Sequence, residues 1–230
     1  MEQPTLPGLD RLLSVCQRLG LRQVIHPPGS RPPEPGALVE GTPLDPMLAS
    51  FYARMSKAIL AADVAGVSIL QWDDSVNALA ERNREMRASW QGDLFARFVV
   101  FAGTPFLAHY FATVPGLADA EGAQPVVWVD SYEEGYALPL ASNVDRFFDL
   151  YASYLEALVA HEDYAERGSA RRSAFPGPFR TWSRATSASF SSSRKAASTS
   201  PRLATMPVPG HSKSAKPVDA SCDVRPTLCP

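Results

Sequence analysis

The residues best equipped for chemistry in this 230-residue chain cluster in one short stretch, where Asp130, Glu133 and Glu134 place three carboxylates in a turn beside Trp128, Tyr132 and Tyr136. Carboxylates held together can divide the acid and base roles of a hydrolase, but only where the environment pushes their proton affinities apart. Neither the spacing nor the neighbours do that here, and no catalytic residue is assigned. Acidic side chains interleaved with aromatics suit a different task, docking onto a basic partner that the rings anchor and the charges steer. Trp128, Asp130, Tyr132, Glu133, Glu134 and Tyr136 are therefore the candidate partner-binding residues, set against the plainer reading of a solvated hairpin turn.

Other chemistries find less support. His26, His109, His161 and His211 are scattered, without the HExxH or CxxC spacing that would recruit a metal. No metal and no cofactor is expected. His109, in a strand-like run, reads as a hydrogen-bonded, partly buried side chain, and His161 as a charge near a helix C-terminus. The glycines of PGLADAEGAQP lack a Walker lysine and do not sit inside a βαβ unit. There is no GxSxG elbow, and Ser191 to Ser193 lie where no scaffold would orient a base. Cys16, Cys222 and Cys229 are too few for a disulfide framework. Cys16 reads as a small apolar residue on a helix face, in keeping with a reducing cytoplasm. The start, MEQPTLPGLDRLLSVCQRLG, has neither the basic region nor the unbroken apolar run of a secretory signal. No apolar window reaches about eighteen residues, so a cytoplasmic protein with no membrane span is expected.

The elements that must position the turn follow from periodicity. Leu9, Leu12, Leu13, Cys16 and Leu19 form one face of a helix that Gly20 ends. From His26 to Pro46, prolines and glycines crowd together and predict an irregular loop. Asp45 and Pro46 then read as N-cap and first-turn proline of a second helix, with Leu48, Phe51, Tyr52, Met55 and Ile59 on one face and an end near Asp63. GVSILQW predicts a strand, and DDSVNALAERNREM a helix on the spacing of Val76, Leu79, Ala80 and Met86. LFARFVVF and PFLAHYFATV read as a hairpin across AGTP, and PVVWV and YALPL as strands on either side of the acidic turn. The last helix carries Val144, Phe147, Phe148, Tyr151, Leu155 and Leu158 on one face, with Ser142 and Asp145 as a capping box. The expected fold is α+β: an antiparallel sheet of four to five strands, because the connections are too short for helical crossovers, with helices covering one face.

Charge divides the chain. Residues 1–166 hold 22 acidic against 11 basic residues, a net charge of −11, whereas residues 167–230 hold 2 against 11, a net charge of +9. The last 64 residues also contain 18 Ser and Thr and 8 Pro without apolar periodicity. Such a composition buries too little surface to offset its ordering entropy. A folded domain over 5–165 and a disordered, basic Ser/Pro-rich tail over 166–230 are expected. Arg171, Arg172, Arg184, Arg194 and Lys195 would attract nucleic acid only weakly, and nucleic acid is not the expected partner.

Four segments together resemble the SUKH superfamily, which includes yeast regulators of cell-wall synthesis and bacterial immunity proteins paired with toxins. They are LDPMLASFYARM, SILQWDDSVNALAERN, FVVFAGTPFLAHYF and, most specifically, PVVWVDSYEEGYALPLASNVDRFFDLYASYL, and the match runs from about Leu9 to Leu158. The resemblance implies a SUKH-like α+β scaffold with no catalytic residues. For a bacterial member it further implies an immunity protein that neutralises a cognate toxin by binding and occluding it. A net charge of −11 would suit a basic effector such as a nuclease. The alternative is a regulatory interaction module that binds an endogenous partner in cell-wall or signalling control.

Overall fold

The computed structural model describes residues 4–34, 36–72, 78–105, 108–132 and 137–161, together with Tyr164 and Phe175, all within the unit Met1–Ser187. Helix α1, Pro7–Arg18, buries Leu9, Leu12, Val15 and Cys16. Gly20 ends it at φ +66°, where Leu21 N–H donates to Cys16 O (2.8 Å) and Gly20 N–H to Gln17 O (3.2 Å). This pair of bonds closes the last turn in a way that glycine permits without steric cost. Cys16 is fully buried, and desolvation pushes its thiol up to about 11, away from reactivity.

Strand β1 (Val24–His26) is followed by a two-residue-strand hairpin, β2 (Leu38–Val39) and β3 (Thr42–Pro43), inside the stretch expected to be irregular. Glu40 and Gly41, both at positive φ, make its turn. Helix α2, Pro46–Arg54, begins as expected: Asp45 Oδ1 accepts from Met47 N–H (2.8 Å) and Leu48 N–H (3.0 Å). Its end differs. Met55 is extended, and Lys57–Leu60 is strand β4, paired with β1 on one side and with β5 (Val67–Ile69) on the other. The Met55 to Ile59 spacing fits a helix face, but Ala58 and Leu60 alternate inward as a strand requires. Pairing with two flanking strands decides between the two patterns.

Helix α3 (Leu79–Arg87) and the single turn α4 (Gly92–Phe95) precede the β6 (Val99–Gly103) and β7 (His109–Thr113) hairpin, so Leu94 and Phe95 leave the expected strand for a helix. Strands β8 (Val126–Asp130) and β9 (Ala137–Ala141) and helix α5 (Val144–Ala160) complete the order. All seven strands of the main sheet are antiparallel, in the order β1-β4-β5-β6-β7-β8-β9. The count exceeds the expected four to five because β1 arises from a segment given no element, at the very start of the expected loop, and β4 from one read as helix. The sheet's margins are β1, three residues long, and β9, which contains Pro139.

Both faces of the sheet are covered, not one. Helices α1, α2 and α5 pack over the main core, where Phe51 stacks on Phe148 (5.8 Å between centroids) and Phe101 meets Phe147 edge-on (5.6 Å). On the opposite face a smaller cluster, Phe95, Phe98, Val100, Ala112, Val127 and Val129, lies under α3 and α4. Central strand β6 is consequently buried at four successive residues. Asn83 of α3 holds it: its amide donates to Val100 O (2.8 Å) and accepts from Val100 N–H (2.8 Å).

The α5 cap is a further correction. Asn143 is the N-cap, accepting from Arg146 N–H (2.8 Å), and Asp145 reaches instead to α1. Phe175, placed in the tail by composition, is fully buried against Phe111, Phe147, Tyr151 and Tyr154, with centroids 4.8–5.9 Å apart. The rest of 166–230 lies outside the described residues. No helix among the described residues is long and apolar enough to cross a membrane.

Candidate protein-binding corner

Alternation along β8 sends Val127 and Val129 into the smaller cluster and leaves Trp128 on the face of the main core. Trp128 is half-buried there, and its ring meets that of His109 edge-on at 4.8 Å. Register puts His109 of β7 opposite Asp130, with Nε2 3.6 Å from Oδ2. That separation is an ion-pair distance and too long for the hydrogen bond expected of this imidazole. His109 Nδ1 is buried without a partner among the described residues.

The other oxygen of Asp130 folds back on its own turn, Oδ1 accepting from Tyr132 N–H at 2.9 Å. Asp130 is thus committed to shaping the turn and to facing His109. The turn is tied down further by Ser131, whose N–H (3.1 Å) and Oγ (2.8 Å) both donate to Ala108 O. Gln91 Nε2 donates to Ser131 O at 3.0 Å and draws the Ser89–Gly92 bend against it.

This last bond reveals a residue that sequence reading missed. Trp90 precedes Gln91 and is 68 % exposed; Tyr132 follows Ser131 and is 70 % exposed. Each neighbours in sequence one end of the same hydrogen bond, so segments forty residues apart that are tied together each carry a large exposed aromatic. Glu133, Glu134 and Tyr136 lie outside the described residues. Of the expected group, the structure brings Trp128, Asp130 and Tyr132 together, and of these three Tyr132 alone is exposed. No local pattern marks Trp90, because its exposure depends on where Gln91 bonds.

Exposed aromatics on a hydrogen-bonded frame can enter a partner's pocket with little loss of conformational freedom. Among the described residues, no group of three or more His, Cys, Asp or Glu could hold a metal ion. No protein-family model matches the chain, and no curated protein matches it. The corner's geometry and the chain's charge are therefore the grounds on which its role is argued.

Proposed function

We propose that this chain is a non-catalytic binding protein, an immunity protein of the SUKH kind, which occludes a cognate toxin and meets it at the corner of Trp90 and Tyr132. One observation carries the reading: two aromatics, each more than two-thirds exposed, neighbour in sequence Gln91 and Ser131, whose hydrogen bond ties their two segments together. Isolated exposed apolar residues are ordinary, but a tryptophan and a tyrosine on two segments braced against each other match the composition of binding hot spots. The charge of −11 over residues 1–166 supports a basic partner, such as a nuclease, by accelerating encounter. The α+β sheet under packed helices is consistent with the resemblance in the four sequence segments.

The test uses the full-length chain and the product of the neighbouring gene. The chain captures that product in a pull-down and protects cells against it, and the Trp90→Ala, Tyr132→Ala double variant loses at least about tenfold in affinity. Failure of both capture and protection would remove the immunity reading. A deletion that alters growth with no attacker present would favour an endogenous regulatory partner.

A further inference from the structure

Asp45 is fully buried at the start of α2, and both of its carboxyl oxygens are engaged. Oδ1 accepts from Met47 N–H and Leu48 N–H in the first turn of the helix, while Oδ2 accepts at 2.6 Å from the N–H of Gln124, 79 residues away. One side chain thus joins α2 to the loop that precedes β8. Gln124 is held to the same stretch a second time, because its Nε2 donates to Pro43 O at 3.1 Å. Asp119 braces the loop itself, its Oδ1 accepting from Glu121 N–H (3.0 Å) and Ala123 N–H (2.8 Å).

Two groups at this junction each lack what the other could supply. Gln124 Oε1 is buried with no donor, and flipping the amide would only set oxygen against the Pro43 carbonyl. Asp45 is in no ion pair among the described residues. The charge that faces it is that of Asp119, which favours protonation, and Glu34 and Glu121 on the flanking loops are exposed and also negative. A buried carboxyl among negative charges tends to keep its proton, and a neutral carboxyl has an O–H to donate. A buried acceptor without a donor is costly to leave unmet.

We propose that Asp45 and Gln124 form a buried, proton-operated latch, in which the Asp45 O–H donates to Gln124 Oε1 and fastens the 119–124 loop to the start of α2. Burial moves the titration of Asp45 from 3.8 to about 6. Between those values, opening the loop to water releases the proton. The latch therefore holds most firmly at low pH, weakens as pH rises to about 6 and is insensitive to pH above it. It is independent of the Trp90 and Tyr132 corner and of the partner proposed there.

Nuclear magnetic resonance of the isotopically labelled full-length chain tests this. The Asp45 carboxyl carbon titrates at about 6, and the side-chain amide resonances of Gln124 move with the same midpoint. Gln124→Met removes the acceptor at similar volume and lowers that midpoint by about one pH unit. Because this variant also loses the bond to Pro43, the parent chain supplies a second measurement. Hydrogen-exchange protection of the Gln124 backbone amide, corrected for the intrinsic rate, falls as pH rises to about 6 and is level above it. In Asp45→Asn it is level throughout. An Asp45 midpoint in the ordinary carboxylate range, an unchanged midpoint in Gln124→Met, or parent protection that ignores pH would each overturn the proposal.

Discussion

Asp145, in the first turn of α5, caps α1: its Oδ1 accepts from Gly8 N–H at 2.8 Å and from Leu9 N–H at 3.2 Å, across a separation of 137 residues for the first. The last helix therefore supplies the end group that the first lacks, since Leu6 offers no side-chain cap. Asp145→Ala costs about 1–2 kcal/mol, measured as a shift in the urea unfolding midpoint. Gly8→Ala is expected to cost about 1–3 kcal/mol, because a β-carbon there would overlap the Asp145 carbonyl oxygen.

Asn83 satisfies both backbone groups of Val100 on a stretch of β6 beyond its pairing with β5 at Ala102 and Gly103 and the bond from Leu70 N–H to Phe101 O. Replacement by alanine strands a buried N–H and a buried carbonyl together. Asn83→Ala lowers the unfolding free energy by about 2–4 kcal/mol, and hydrogen exchange at the Val100 amide accelerates more than at Phe111.

Burial raises the Asp45 carboxyl from its ordinary 3.8 to about 6, overriding the backbone bonds from Gln124, Leu48 and Met47 that favour the charged form. Between those values the folded chain retains a proton that the unfolded chain has released. This contribution to stability is therefore fullest at low pH and declines as pH rises through about 6. Asp45→Asn abolishes it. The stability difference between parent and variant, followed by urea titration, moves in the variant's favour as pH rises across this interval and is constant above it.

Phe175 fills space among Phe111, Phe147, Tyr151 and Tyr154. Phe175→Ala costs about 3–5 kcal/mol in the full-length chain, an effect no surface residue of a detached tail would show. Calorimetric unfolding checks it.

On the proposal that the chain binds a basic toxin, charge reversal of Glu133 and Glu134 slows that association, chiefly at low salt where screening is weak. Stopped-flow association rates that stay unchanged at low ionic strength would detach these two residues from steering.

Amphipathic faces were the most legible features. Leu9, Leu12 and Cys16 in α1, and Val144, Phe147, Phe148, Tyr151 and Leu155 in α5, are buried as their spacing requires. Strands β8 and β9 follow from their β-branched and apolar runs. Less could be read where one local pattern serves two structures: Met55 and Ile59 suit a helix, yet Lys57–Leu60 becomes a strand once β1 and β5 lie on either side. The Ser142 and Asp145 pattern misled for a similar reason, since Asn143 was free to cap α5 and α1 needed Asp145. At the candidate corner Tyr132 was visible from its turn. Trp90 was not, because the Gln91 to Ser131 bond that places it is long-range.

The margins of the sheet limit how this molecule can be recognised. One border offers only Val24–His26, and the other carries a proline whose ring and missing N–H obstruct a docking strand. Edge-to-edge growth into ribbons or fibrils is thereby discouraged at both ends. A companion molecule has to be greeted by side chains, not enlisted as an eighth strand.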